Sequence, residues 1–130
     1  MGNSEKIVEL FDNLYGRDFG SRILKLREEC AELIEVIDAV PNAPKDGHFD
    51  RLQDEMSDVL AVLTHVADIM NIQNGTDGLL QAAIAKVMTR AENPDYHNSF
   101  LYLCPDCNVV LHVFKCWKGI NKIEVMPTLF

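Results

Sequence analysis

A chain of 130 residues, 48% apolar and 25% charged, has the composition of one soluble domain with room for a small appendage. Its net charge of −8 argues against a nucleic-acid-binding surface, and no stretch approaches the roughly 20 apolar residues of a membrane span. The opening Met1-Gly-Asn-Ser-Glu-Lys has neither region of a signal peptide, and Lys6 stands where myristoylation wants Ser or Thr, so a cytoplasmic protein is expected.

Ser4 offers an N-cap, and Ile7, Val8, Leu10, Phe11 and Leu14 recur at helical spacing before Gly16, predicting a first helix over about 4–15. Gly20-Ser21 punctuates the chain, and Ser21 caps a second helix running to about Val40. The breaker-rich loop from Pro41 to Gly47 can reverse the chain, so that the second helix and the next pack antiparallel. Asp50 with Gln53 reads as a capping box opening a third helix to about Met70. Thr76 or Asp77 caps a fourth, about 78–92, with Leu79, Leu80, Ala83, Ile84, Val87 and Met88 as its stripe. Four helices in this length predict an all-α four-helix bundle.

Two acidic signatures lie within it, Glu29-x-x-Glu32 and Glu55-x-x-Asp58. Each puts two carboxylates three residues apart, on one helical face and within reach of a shared ion. A charge run on a helix is ordinarily a solvated face, and Glu28 and Glu35 fit that description. Glu29 does not: at about 100° per residue it falls between Val36 and Val40, beside an apolar arc of Ile23, Cys30, Leu33, Ile34 and Ile37. Glu32 lies at the edge of that arc. On the third helix Glu55 falls between Val62 and Val66, with Asp58 just beyond Ile69. Unpaired carboxylates there cost several kcal/mol or take up protons, so a cation is the simpler expectation. Magnesium prefers oxygen ligands and suits carboxylates supplied in pairs.

Set in the phrases Leu26-Arg-Glu-Glu-Cys-Ala-Glu-Leu33 and Asp54-Glu-Met-Ser-Asp-Val-Leu60, this quartet resembles the MazG-type all-α nucleoside triphosphate pyrophosphohydrolases, over about residues 20–92. The resemblance implies hydrolysis of a nucleoside or deoxynucleoside triphosphate to the monophosphate and pyrophosphate. Glu29, Glu32, Glu55 and Asp58 would be ligands of magnesium, or of manganese in its place. Glu28, contiguous with them, would support a ligand or deprotonate the attacking water. Lys86 and Arg90, four residues apart on the fourth helix, would contact the triphosphate; alone, they would read as a solvated basic pair. A homodimer or homotetramer, with the base bound near a subunit interface, is also implied. Apolar residues on more than one helical flank, such as Val62 and Ile69, point the same way.

The resemblance does not extend beyond about Tyr96. After Asn93-Pro94 the period changes, and a body over residues 1–95 gives way to an appendage over 96–130. Charge changes with it: residues 1–99 hold 18 acids and 9 Lys/Arg, net −9, whereas residues 100–130 hold 2 acids and 3 Lys, net +1. Phe100–Leu103, Val109–Phe114 and Ile120–Val125 are β-prone runs, predicting a hairpin or a three-stranded sheet. Cys104, Cys107, His112 and Cys116 have the spacing C-x2-C-x4-H-x3-C, one residue short of a zinc knuckle. The same four are more readily read as packed thiols and a strand histidine. Cys30 reads as core, and His65 as solvent-facing or at a subunit contact. Tyr96, Phe100 and Trp117 are candidates to stack on a base, or core. Two other readings stay open: a non-catalytic helical module that binds a partner or oligomerises, and an adaptor with a zinc-binding tail.

Overall fold

The computed structural model describes residues 2–92, 98–107, 109–116 and 119–126. Four helices come first: α1 (Asn3–Tyr15), α2 (Phe19–Ala39), α3 (Asp46–Ile69) and α4 (Gly75–Glu92). A three-stranded antiparallel sheet follows in the order β1 (Asn98–Leu103), β2 (Val110–Cys116), β3 (Gly119–Val125). The fold is therefore all-α with a small β appendage. The chain divides within α4 into two compact units, Met1–Ala82 and Ala83–Phe130. The change of period expected at Asn93-Pro94 lies outside the described residues. No described helix is long and apolar enough to cross a membrane.

The helix boundaries follow capping chemistry that differs in detail from the expected caps. Asp18, rather than Ser21, caps α2: its carboxylate accepts the Ser21 N–H at 2.8 Å, so the helix opens at Phe19. α3 opens at Asp46, ahead of Asp50, because the Lys45 N–H donates to His48 Nδ1 at 3.0 Å and ties down the first turn. Gly2 takes the N-cap position of α1, which leaves Ser4 inside its first turn. At the other end of α3, Asn71 adopts φ 57°, and the Ile72 N–H reaches back to the Ala67 carbonyl while the Asn71 N–H reaches Asp68. This Schellman arrangement satisfies carbonyls that the helix end would otherwise orphan. Gly78, in the first turn of α4, lies against the Gln73 carbonyl, where a Cβ would collide with backbone.

In the first unit α3 is the central element, with α2 and α1 packed against it. The buried positions of α2 are Arg22, Glu29 and Val36, seven residues apart, with Leu26 and Leu33 half-buried between them. The expected arc was rotated from this one: Ile34 is 57% exposed and Ile37 49%. α2 carries apolar residues on two flanks, and periodicity alone does not say which flank meets α3. On α3 the buried residues are Val62, Thr64, His65, Val66 and Ala67, while Met56 and Leu60 are exposed.

His65 corrects the sequence reading most plainly. It is fully buried, and its Nε2 lies 2.8 Å from Asp12 Oδ1 while its Nδ1 accepts from Arg22 Nε at 3.2 Å. With Nδ1 accepting, Nε2 carries the proton and donates it to Asp12 Oδ1. Arg22 is itself buried, its guanidinium over the rings of Tyr15 and Phe11 at 4.7 and 5.4 Å. Arg17 extends the chain of contacts, bridging Asp12 and Asp68 at 2.8 Å each. One histidine thus joins α1, α2 and α3 through paired polar groups, the condition under which buried polar groups are tolerated.

In the second unit, β2 pairs with β1 from Leu103↔Val110 to Asn98↔Lys115 and with β3 from Leu111↔Val125 to Cys116↔Gly119, with an irregularity between Phe114 and Lys115. Val110 and Val113 are its buried residues among those described.

Candidate metal centre

The contacts Arg22 to His65 and Glu29 to Glu55 run in opposite orders along α2 and α3, so the two helices are antiparallel, as the loop between them predicts. That geometry joins the two acidic signatures. Carboxylate oxygens of Glu29, Glu32 and Glu55 lie within 4.8 Å of one another, and so do those of Asp54, Glu55 and Asp58. Glu55 belongs to both groups. The first group comes from two facing helices and the second from α3 alone; sharing Glu55, they are a set of oxygens that could hold hard cations.

Burial separates this cluster from an ordinary charged surface. Glu29 is only 7% exposed because it stands in the packed seam of α2, between Arg22 and Val36. One oxygen of Glu29 and one of Glu55 are buried without any hydrogen-bond partner. An orphaned carboxylate oxygen is costly, and a cation coordinated there removes the cost. The donor set, all carboxylate oxygen, fits magnesium or manganese and does not favour a soft thiolate metal.

The electrostatics carry the same strain. The charge of Glu29 holds the Glu32 carboxyl above the usual carboxylate range, with burial and Glu55 adding to it. Burial, then the neighbouring Asp58, lifts Glu55; burial, then Glu29, lifts Asp58. Lys25 is a partial answer from within the chain. Its ammonium lies 3.2 Å from Glu29 and 3.4 Å from Glu28, and the hydrogen bond to Glu29 holds its own pKa above the ordinary lysine value.

Lys25 and Asp54 are the site residues that sequence reasoning did not single out. Lys25 precedes Glu29 by one helical turn, the spacing of a helical ion pair, and Asp54 directly precedes Glu55. Both signals were present and common enough to carry no weight alone. Glu28 is exposed and paired with Lys25 at the edge of the cluster.

Lys86 and Arg90 share one face of α4 and line, with Ala85 and Thr89, a depression of about 330 Å³. They lie in the second unit. The larger cavity, about 570 Å³, is elsewhere: Glu5, Glu9, Asp12, Thr64 and Asp68 line it between α1 and the end of α3. Asp68 is 13 residues from Glu55, roughly 20 Å along the helix axis, so this cavity does not include the carboxylate cluster. Cys30 is half-buried on α2. Of the aromatic candidates, Phe100 stands exposed on β1, and Tyr96 and Trp117 lie outside the described residues.

The strand register parts the four candidate zinc ligands. Cys104 and Cys107 lie in the β1–β2 turn, whereas Cys116 is six residues beyond Val110 at the far end of β2, roughly 20 Å away along an extended strand. His112 pairs with Leu101, and strand alternation puts it on the opposite face from Cys104. A single ion held by all four within one sheet is excluded by that register.

The family model of the MazG nucleotide pyrophosphohydrolase domain matches residues 18–94, from the cap of α2 past the end of α4. No curated protein and no solved structure matches the chain.

Proposed function

Because this chain belongs to the MazG nucleotide pyrophosphohydrolase domain family, we propose that it hydrolyses a nucleoside or deoxynucleoside triphosphate to the monophosphate and pyrophosphate with magnesium as cofactor. The observation that carries the reading is the pair of buried, unpartnered oxygens on Glu29 and Glu55, at the meeting point of four family-type carboxylates. Manganese is an alternative occupant, since its preference for oxygen ligands is similar.

Glu29, Glu32, Glu55 and Asp58 are the ligands in this proposal, and Asp54 joins Asp58 and Glu55 on the second cluster. A divalent ion bound there supplies positive charge to phosphate oxygens and lowers the pKa of a bound water. The protein's own groups do the rest. In this proposal Glu28, exposed beside the cluster, supports a ligand or takes the proton of the attacking water. Lys25 sits where it can exchange a carboxylate contact for a phosphate oxygen. Lys86 and Arg90 neutralise the remaining phosphate charge, the guanidinium through paired donors and the ammonium as a point charge. Cleavage between the α and β phosphates is the family's position of attack.

The active form is a homodimer or homotetramer. Support comes from apolar side chains that the single chain leaves in water: Ile34 and Ile37 on α2, Met56 and Leu60 on α3, and Leu80, Ile84, Val87 and Met88 on α4. Helical stripes of this kind are covered by a second copy in many bundles.

A panel of ribo- and deoxyribonucleoside triphosphates, assayed for pyrophosphate release with magnesium and with a chelator, tests the proposal. Magnesium-dependent release from at least one nucleotide is expected, together with its loss in Glu29→Gln. Turnover by none of them, or turnover by Glu29→Gln at the wild-type rate, would end this reading.

A further inference from the structure

The β1–β2 turn of the second unit has the construction of a metal-binding knuckle with only two ligands. It is closed by the Cys104 N–H donating to the Val109 carbonyl at 2.9 Å, which extends the ladder one step past Leu103↔Val110. Residues 105–107 turn tightly inside that closure, and both cysteines are free thiols. Cys104 opens the turn and Cys107 closes it, so both thiols lie in one four-residue segment at the C-x2-C spacing of zinc ligands. Cysteine binds metal as the thiolate, and a turn of this kind offers two sulfurs to one ion.

Two thiolates do not complete tetrahedral zinc. Within the described tail the register keeps the other two candidates away from the turn: Cys116 is at the far end of β2, and His112 lies on the opposite face of the sheet from Cys104. From these placements we propose that the Cys104–Cys107 turn is half of a zinc site, and that a second copy of this chain completes it by contributing the same turn.

A two-fold axis through the ion gives four sulfurs at the corners of a tetrahedron, the commonest closed form of structural zinc. Cys107 is exposed at the tip, so two tips can meet. Strand alternation puts Cys104 on the face of Phe100 and Tyr102, which are 47% and 48% exposed, and a second tail alongside would cover them. The charges also match. Four thiolates on zinc carry a net −2, and each tail over residues 100–130 carries +1 from 3 Lys and 2 acids. Loading releases the thiol protons, so affinity rises with pH. The site is independent of the carboxylate cluster and of the reaction proposed for it.

The test uses the full chain, expressed with added zinc and purified under reducing conditions. About one zinc for every two chains is expected, four sulfurs being shared by two copies. Cobalt in its place should give the sulfur-to-metal charge-transfer absorption of a tetrathiolate, which a carboxylate site does not give. Cys104→Ser and Cys107→Ser should lose that absorption, while Cys116→Ser and His112→Ala keep it. Cys107→His, which retains a ligand, should hold cobalt with a changed spectrum and so separates lost coordination from a lost fold. One zinc per chain, loss of metal in Cys116→Ser, an unchanged spectrum in Cys104→Ser, or a reduced protein with no zinc would each overturn the proposal.

Discussion

Glu29 stands where a core residue would stand, and that placement makes the acidic cluster sensitive to protons. Glu32, Glu55 and Asp58 all have pKa values raised in the folded chain, the first chiefly by the charge of Glu29 and the others chiefly by burial. The folded state therefore binds protons more readily than the unfolded one. Their stabilising contribution is full below the unfolded values near 4 and is lost as pH rises through the folded values. The metal-free protein should melt at a higher temperature when pH is lowered from about 8 to about 5, and saturating magnesium should remove most of that gain, because protons and the ion compete for the same oxygens. Below about 4 the trend should reverse. There Asp12, whose pKa is lowered first by its hydrogen bond to His65, loses its contribution as pH falls through its folded value. Thermal melts across pH, with chelator and with magnesium, check both halves; a chelated protein that loses stability steadily from pH 8 to 5 would contradict the account. His65 permits a second residue-level prediction. His65→Ala leaves the Arg22 Nε–H without its partner, removes one of the two hydrogen bonds to Asp12 Oδ1, the other coming from Arg17, and opens a cavity among three helices. A loss of about 2–4 kcal/mol in urea unfolding is expected, with the carboxylate cluster still able to bind magnesium.

At the level of elements, α2 and α3 each contribute one half of the acidic cluster, and the antiparallel pairing is what makes the halves meet. α4 contributes differently. Its basic pair, Lys86 and Arg90, follows the same four-residue rule, and both side chains are exposed. Lys86→Ala or Arg90→Ala should therefore lower turnover of the triphosphate by roughly 1–3 kcal/mol in transition-state stabilisation, the scale of a charge-assisted hydrogen bond. Melting temperature should stay within a degree or two, since surface substitutions away from packed features change stability little. Steady-state kinetics beside a thermal melt distinguish the roles: unchanged kinetics with a lowered melting temperature would make the pair structural.

For the whole molecule, the balance of buried and exposed apolar surface is the deciding quantity. Only six apolar residues are buried below about a tenth of their surface among those described, whereas Leu80, Ile84, Val87 and Met88 lie in water along α4. A monomer that leaves such a stripe uncovered forgoes about 1.5–3 kcal/mol for each side chain a partner would bury. The native mass by light scattering should be that of a dimer or tetramer, and Ile84→Lys with Met88→Lys should shift it downward while helicity is kept. A wild-type chain of monomer mass at assay concentration would place the covering surface elsewhere or nowhere.

What could be read along the chain was what depends on near neighbours in sequence. Apolar residues at helical spacing placed α1 to α4 to within a few residues, and alternation placed the three strands. The spacing of Glu29 with Glu32 and of Glu55 with Asp58 put each pair on one face of its own helix. The caps were less legible, because Asp18 and Lys45 compete with equally plausible neighbours and the first turn's own hydrogen bonds decide between them. Helix rotation and strand register were decided only in three dimensions. Rotation put Arg22, Glu29 and Val36 in the seam in place of Ile34 and Ile37, buried His65 against Asp12 and Arg22, and brought Lys25 and Asp54 to the carboxylates. Register carried Cys116 away from the Cys104–Cys107 turn. A period in sequence states that a face exists; which surface it meets depends on contacts between residues some forty or fifty positions apart, such as Arg22 with His65 and Asp12 with His65, and these are set by the packing of the whole unit.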